Sequence, residues 1–239
     1  MQYPNRIEFK VWGDYALFSD PITRIGGEKS TYQAPTYEAL KGILASIYWK
    51  PTFIWYVDKV RILNPIQTET KGVRTIKYNG GKNDLAYYTY LKDCCYQVQA
   101  HFEWNRGREE LKSDRNENKH HQCALRMLKK GGSRDIFLGT RECQAYVEPC
   151  IFGEGEGAYD QLPQLSWGLM YHGLTYPDEA ANERTPENEL KPSRLTANFW
   201  RPVMERGIIQ FLRPSQCPHH KDLGPRSIKS FGGALQEVE

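Results

Sequence analysis

The run Asp114-Arg115-Asn116-Glu117-Asn118-Lys119-His120-His121 places a cation and two imidazoles where a polar loop turns into a helix. Histidine is the side chain whose unperturbed pKa lets it exchange a proton near neutral pH, and an adjacent ammonium can hold a phosphate while that proton moves. The chemistry suggested is RNA cleavage without a metal. RNA carries its own nucleophile, the 2′-hydroxyl beside the scissile phosphate. One group must remove that proton, another must protonate the departing 5′-oxygen, and a cation must stabilise charge on the phosphorus. Lys119 suits the charge role, and either His120 or His121 the role of base or acid. Tyr48, four residues after Leu44, can pack along a helix edge with its hydroxyl reaching out, and a nearby lysine would lower its pKa enough for proton exchange.

Positioning such groups requires a folded core, and 239 residues are enough to build one. With 39% hydrophobic and 26% charged residues the composition is that of a globular protein. No apolar run approaches the roughly 20 residues that span a bilayer, and residues 1–6 run into a strand pattern without an apolar leader. A cytoplasmic protein with no membrane partner is expected. The six cysteines show no close pair of the kind that structural zinc takes, so no metal or other cofactor is expected and the cysteines read as reduced core residues. Clustered carboxylates for Mg²⁺ do not stand out either. Net charge is only +3, but residues 105–134 carry nine basic against four acidic side chains, a local stripe suited to phosphates.

The periodicities give an order of elements. Ile7, Phe9 and Val11 alternate as a strand. Leu40, Ile43, Leu44 and Ile47 mark one helical face after Pro35-Thr36, ended by Trp49-Lys50-Pro51. Phe53 to Ile62 forms a second strand, Pro65 to Asn83 a surface loop or hairpin, and Tyr96 to Trp104 a third strand. Ala124, Leu125 and Leu128 make a short helix stopped by Gly131-Gly132, and Ile136 to Val147 is a fourth strand region broken at Gly139. Strand, helix, strand, strand, helix, strand is the split βαβ order of a ferredoxin-like (RRM-like) domain over residues 1–150, of the α+β class. Its second sheet face is expected to be free, with Tyr and Trp available to stack RNA bases. Residues 151–239 read as a smaller antiparallel β-sheet domain. Within it, residues 153–157 form a flexible turn, 182–192 a surface loop, and the tail from Gln216 has no confident element.

Several of these residues resemble the Cas5d family, the CRISPR-associated endoribonuclease of type I-C systems within the repeat-associated RNA-binding superfamily. The resemblance rests on Gly13-Asp14-Tyr15-Ala16-Leu17-Phe18, Gly26-Gly27-Glu28-Lys29, the stretch from Pro35 through Leu40 and Ile47 to Thr52, Asp114-Arg115-Asn116-Glu117, residues 134–139, Arg141-Glu142-Cys143-Gln144, His172-Gly173 and residues 176–179. It fades after about Pro218. The resemblance implies metal-independent cutting of precursor CRISPR RNA at a repeat hairpin, leaving a 2′,3′-cyclic phosphate. The crRNA is then retained among other subunits of a surveillance complex, with DNA binding left open. A non-catalytic crRNA-binding subunit is the alternative. The family's catalytic positions fall on Tyr48, Lys119 and His120, with His121 adjacent, so either ring can face the phosphate. RNA affinity is assigned to the basic stripe, above all Lys129, Lys130 and Arg134 around the glycine turn, with Arg141 beside them.

Overall fold

The computed structural model describes residues 3–21, 23, 27–75, 84–183 and 194–226. The first strand, β1 (Ile7–Ala16), is followed by the two-residue β2 (Lys29–Ser30) and helix α1 (Tyr37–Ile47), then β3 (Phe53–Ile62), β4 (Gln67–Thr75) and the long β5 (Asp84–Trp104). A 3-10 turn at Glu109–Asp114 leads into α2 (Glu117–Lys129), after which come β6 (Ile136–Phe137) and β7 (Gln144–Pro149). The remaining strands are β8 (Gln164–Ser166), β9 (Met170–Thr175), β10 (Arg194–Trp200), β11 (Val203–Glu205), β12 (Ile208–Gln210) and β13 (His219–Pro225).

At the centre of the large sheet the strands lie in the order β7-β1-β5-β3, each antiparallel to its neighbour. This is the ferredoxin-like arrangement expected from the element order. Alternation along β1 sends Ile7, Phe9 and Val11 into the core, and Val98, Ala100 and Phe102 of β5 meet them from the next strand. The side chain of Thr36 caps α1 by accepting the Ala39 amide at 3.2 Å. Leu40, Ile43, Leu44 and Ile47 then bury their side chains in that core, each contributing on the order of 1.5–3 kcal/mol. The break in the fourth strand region has a steric cause. Gly139 sits at φ +93°, and a Cβ there would stand 2.1 Å from the Leu17 carbonyl oxygen.

The segment from Pro65 takes the hairpin form, one of the two expected, since β4 pairs along its length with the first part of β5; residues 76–83 lie outside the described residues. Two expectations need correction. The strand expected at Tyr96–Trp104 is the second half of a 21-residue strand.

The second correction concerns the far sheet face, which is covered. Arg61, Gln97 and His101 point there and are buried. Arg61 pairs with Asp160 at 2.7 Å and donates to the carbonyls of Glu154 and Gly155. Gln97 donates to Glu154 O and accepts the Gly153 amide. The turn at 153–157 is thus pinned to the sheet rather than loose. Tyr56 donates to Glu183 at 2.7 Å, and Arg213 grips Glu103 with both Nη atoms while lying 4.3 Å over the Tyr56 ring. Polar side chains at alternate positions read as a solvated face, but here Arg61, Gln97, Tyr56 and Glu103 meet partners from beyond residue 150, and His101 is held by Asp58 at 2.9 Å. Aromatic surface on that side persists at the β1–β7 edge, where Trp12 and exposed Tyr146 lie 6.0 Å apart.

Chain beyond residue 150 contributes twice. β12, β11 and β8 continue the large sheet outward from β3, while β9, β10 and β13 form a separate three-stranded antiparallel sheet. β13 falls in the segment for which the sequence predicted no element. Residues 227–239 and most of the 182–192 loop lie outside the described residues, as do Arg24, Ile25 and Gly26. The small sheet docks on α1: His172 stacks on Tyr37 at 4.3 Å, and Glu38 accepts the Leu174 amide at 3.0 Å. Burial pushes His172 down to about 3, so the ring is neutral and the His172-Gly173 motif is part of this packing. No helix among the described residues is long and apolar enough to cross a membrane.

Candidate active site

The end of α1 and the start of α2 meet over the first residues of β3. Tyr48 follows the last turn of α1, where its amide donates to Leu44 O at 2.9 Å. Asn116 caps α2 by accepting the Lys119 amide at 3.0 Å, which sets Lys119 and His120 in the first turn. The structure brings Tyr48 onto His120, 72 positions later in the chain, and Lys119 joins the pair through Asp114. Tyr48 Oη lies 2.9 Å from His120 Nδ1.

The direction of that hydrogen bond follows from the other side of the ring. His120 Nε2 lies 2.8 Å from the Asp114 carbonyl oxygen, which can only accept, so Nε2 carries the proton. In the neutral ring Nδ1 is then the acceptor, and the Tyr48 hydroxyl donates to it. His120 has no exposed surface and is enclosed by the rings of Phe53, Trp104 and Phe102 at 5.4, 5.8 and 6.5 Å. The ring lies between Tyr48, which is half-buried, on its Nδ1 side and Asp114 on its Nε2 side. His121 points elsewhere and donates from Nε2 to Arg6 O at 3.1 Å, so the ring beside Tyr48 is that of His120.

Asp114, to which the sequence reading gave no part in the chemistry, ties these groups together. Its carboxylate accepts Thr52 Oγ1 at 2.8 Å and the Lys119 ammonium, and stands 3.3 Å from His120 Nε2. The Lys119 hydrogen bond and then that of Thr52 hold its carboxyl below the usual range, so it is ionised at neutral pH. Tyr48 departs from expectation. Burial above all, with Cys123 and Asp114 nearby, pushes the phenol up to about 12 rather than down, so it stays protonated and acts as a hydrogen-bond donor. Lys119 remains exposed, its ammonium free on the side away from Asp114.

The residues nominated for RNA affinity divide. Lys129 and Lys130 end α2 and are exposed, as is Arg141, with no ion pair among the described residues. Arg134 is exposed but engaged, its Nη2 donating to Ala45 O at 2.7 Å and its amide to Ser46 O at 3.0 Å, so it closes the C-terminal end of α1. Other cations of the stripe are also held internally: Arg108 by Asp178 at 3.2 Å and Arg115 by Glu109 at 3.2 Å. Among the described residues no group of three or more His, Cys, Asp or Glu side chains is arranged to hold a metal ion.

Comparison with known proteins places this arrangement in a family. A family model described as CRISPR-associated protein (Cas_Cas5) matches residues 6–212. A protein of Mannheimia succiniciproducens named CRISPR pre-crRNA endoribonuclease Cas5d is 29% identical over 232 residues, covering 86% of this chain and 94% of its own. One of the same name from Thermus thermophilus is 30% identical over 215 residues, covering 86% and 82%. A crystal structure described as that of a CRISPR-associated protein superposes with a TM-score of 0.74 at 34% identity, over 90% of this chain and 96% of that one. The match runs from the first strand through the Tyr48–His120 pair to β12, and on it this chain belongs to the Cas5d family of CRISPR-associated proteins.

Proposed function

We propose that this chain is the endoribonuclease that cuts precursor CRISPR RNA at the repeat hairpin and retains the crRNA as a subunit of a type I-C surveillance complex in the cytoplasm. Two relatives at about 30% identity bear the name of that activity. The observation that carries the mechanism is the 2.9 Å hydrogen bond from Tyr48 to His120, with the Lys119 ammonium beside it.

A buried imidazole cannot touch RNA, so proton traffic runs through the phenol. The RNA 2′-hydroxyl gives its proton to Tyr48 Oη as Tyr48 passes its own to His120 Nδ1. The new imidazolium is matched by the Asp114 carboxylate 3.3 Å from Nε2. This relay needs no tyrosinate, which accords with a phenol held near 12. Each positioned proton transfer contributes roughly 10²–10⁴-fold. Lys119, exposed at the mouth, stabilises charge on the pentacoordinate phosphorus, and solvent water protonates the departing 5′-oxygen. The product is a 2′,3′-cyclic phosphate. Lys129, Lys130 and Arg141 supply phosphate contacts that add affinity without reading sequence.

The test is incubation of the purified protein with its host's repeat RNA, with and without EDTA. Cutting that persists in EDTA and leaves a cyclic phosphate is expected, and a 2′-deoxy substitution at the cut site should stop cutting but spare binding. Loss of cutting on chelation, restored by Mg²⁺, overturns the mechanism. Tight binding with no cutting under any condition indicates a crRNA-binding subunit without nuclease activity.

A further inference from the structure

Beside the proton relay lies a cavity that the mechanism does not use. It has a volume of about 300 Å³ and lies between the outer face of α1, the start of β3 and the Tyr176–Glu179 turn. Its rim carries two large exposed aromatic rings, Trp49 and Tyr176, at 54% and 42% exposure. Trp49 directly follows Tyr48. Phe53 forms part of the wall and is shared with the relay, its ring 5.8 Å from Tyr48 and 5.4 Å from His120. On α1 the wall is made of Gly42 and Ala45, and a Cβ added at Gly42 would meet nothing within 4 Å, so the helix leaves this space open.

The charges lining the cavity decide what it can take. Lys41 and Glu179 neutralise each other at 2.7 Å, and Asp178 is paired with Arg108 at 3.2 Å. The remaining carboxylate is Glu38, with one oxygen, Oε2, accepting the Leu174 amide. A phosphate would meet an uncompensated anion. A flat, neutral group with N–H donors would meet aromatic faces at the rim and a carboxylate acceptor inside, the pairing by which Asp and Glu recognise the exocyclic amine of a base.

We propose that the cavity between Trp49, Tyr176 and Glu38 receives the base of a nucleotide flanking the scissile phosphate, and that it favours an amino-bearing base over uracil. This rests on the endoribonuclease reading, since it is the cut site that puts a flanking base there. Turning a base out of its stack costs a few kcal/mol, which stacking on aromatic rings offsets, and an unstacked base leaves its phosphate free to turn toward Tyr48 and Lys119. The cavity would then set which nucleotide is cut, while the basic turn at the far end of α2 sets only how tightly RNA is held.

The test uses the full chain and a repeat RNA blocked by a 2′-deoxy nucleotide at the cut site, with the fluorescent base 2-aminopurine placed in turn at each position flanking the cut. One position is expected to show fluorescence quenched on binding, and Trp49→Ala is expected to release it. Ala45→Leu, which fills the cavity and keeps the ring, is expected to release it too, so a folding defect of the tryptophan variant does not decide the result. An abasic nucleotide at that position should weaken wild-type binding by about tenfold and cost Trp49→Ala little more. Uracil there should behave more like the abasic site than cytosine or adenine does. Quenching at no position that responds to either variant, or additive losses from the abasic site and Trp49→Ala, overturns the proposal. The nuclease reading fails separately, if unblocked RNA bound by the same protein is not cut.

Discussion

Both ends of α2 carry lysine, set in opposite surroundings. At the first turn, Lys119 is tied to Asp114 and His120 is fully enclosed, with both ring nitrogens engaged. Ten residues on, about 15 Å along the axis, Lys129 and Lys130 stand exposed without an ion pair among the described residues. A group whose position must hold to within a fraction of an ångström during a reaction needs partners that lock its rotamer, whereas a phosphate contact needs only charge near the backbone. The difference therefore separates rate from affinity. On the proposed mechanism the first end would govern the chemical step and the second the grip.

Tyr48→Phe should show the largest effect, because it removes the hydroxyl of the relay and keeps the ring against Phe53. Single-turnover cutting should fall by roughly 10²-fold or more, with RNA affinity changed by less than about twofold. A variant that cuts normally would remove the phenol from the mechanism, and one that loses affinity in proportion would make the first end part of the grip. The phenol near 12 also fixes the pH behaviour. No Tyr48 ionisation should appear in a difference spectrum between the wild type and Tyr48→Phe until well above pH 10.

Asp114→Asn comes next. The amide retains an oxygen for Thr52 and the backbone carbonyl still holds His120 Nε2, but the charge that matches the imidazolium is lost. Cutting should slow by about tenfold in single turnover at saturating RNA, a smaller loss than that of the phenol because the relay geometry survives. Since the folded pKa of Asp114 lies below its ordinary value, its contribution to stability is present above about pH 4 and is lost as pH falls through the folded value. The Asn variant should accordingly show a flatter acid limb in thermal melts. An equal loss of rate and of affinity would indicate that Asp114 serves only to hold Lys119 against RNA.

Not all of this comparison was visible in the sequence. The helix holding Tyr48 was legible because apolar spacing and a Thr cap are local signals, and so was the ferredoxin-like order, because each strand alternates. The Tyr48, Lys119 and His120 set came from the family resemblance, and only the fold brings Tyr48 and His120 within 2.9 Å. Asp114 was missed because its significance lies in Thr52, 62 residues earlier, and in a backbone carbonyl that no residue type advertises. The covered sheet face was misread for the same reason: Gln97, His101 and Glu103 look solvated until Glu154, Asp58 and Arg213 are placed beside them. Charge counting likewise cannot tell a free lysine from an arginine already spent on a helix end.

At the second end of α2 the effects are smaller. Replacing Lys129 and Lys130 together by Ala should weaken binding to unrelated RNAs alike and flatten the log–log salt slope by about 1.4, at about 0.7 for each neutralised phosphate on a single strand. The cutting rate at saturating RNA should be unchanged. Unaltered affinity and salt slope would put the RNA on another face and leave the first end to hold its substrate alone.

Arg134 offers the finest distinction, since it lies on the same basic turn as Lys129 and Lys130 and its residue type does not set it apart from them. Its guanidinium donates to Ala45 O, and its amide joins Ser133 in satisfying Ser46 O, so it serves the last turn of α1, the helix that delivers Tyr48. An exposed contact of this kind is worth on the order of 1 kcal/mol. Arg134→Ala is therefore expected to lower the melting temperature by about 2–4 °C and to leave the salt slope of RNA binding where it was. Arg134→Lys keeps the charge but not the planar fork, and should melt close to the Ala variant rather than the wild type. If Arg134→Ala instead flattens the slope by about 0.7 without a change in melting, the arginine releases Ala45 when RNA arrives and belongs with the lysines. The grip would then reach the base of the helix that carries the catalytic phenol, and the two ends of α2 would no longer act independently.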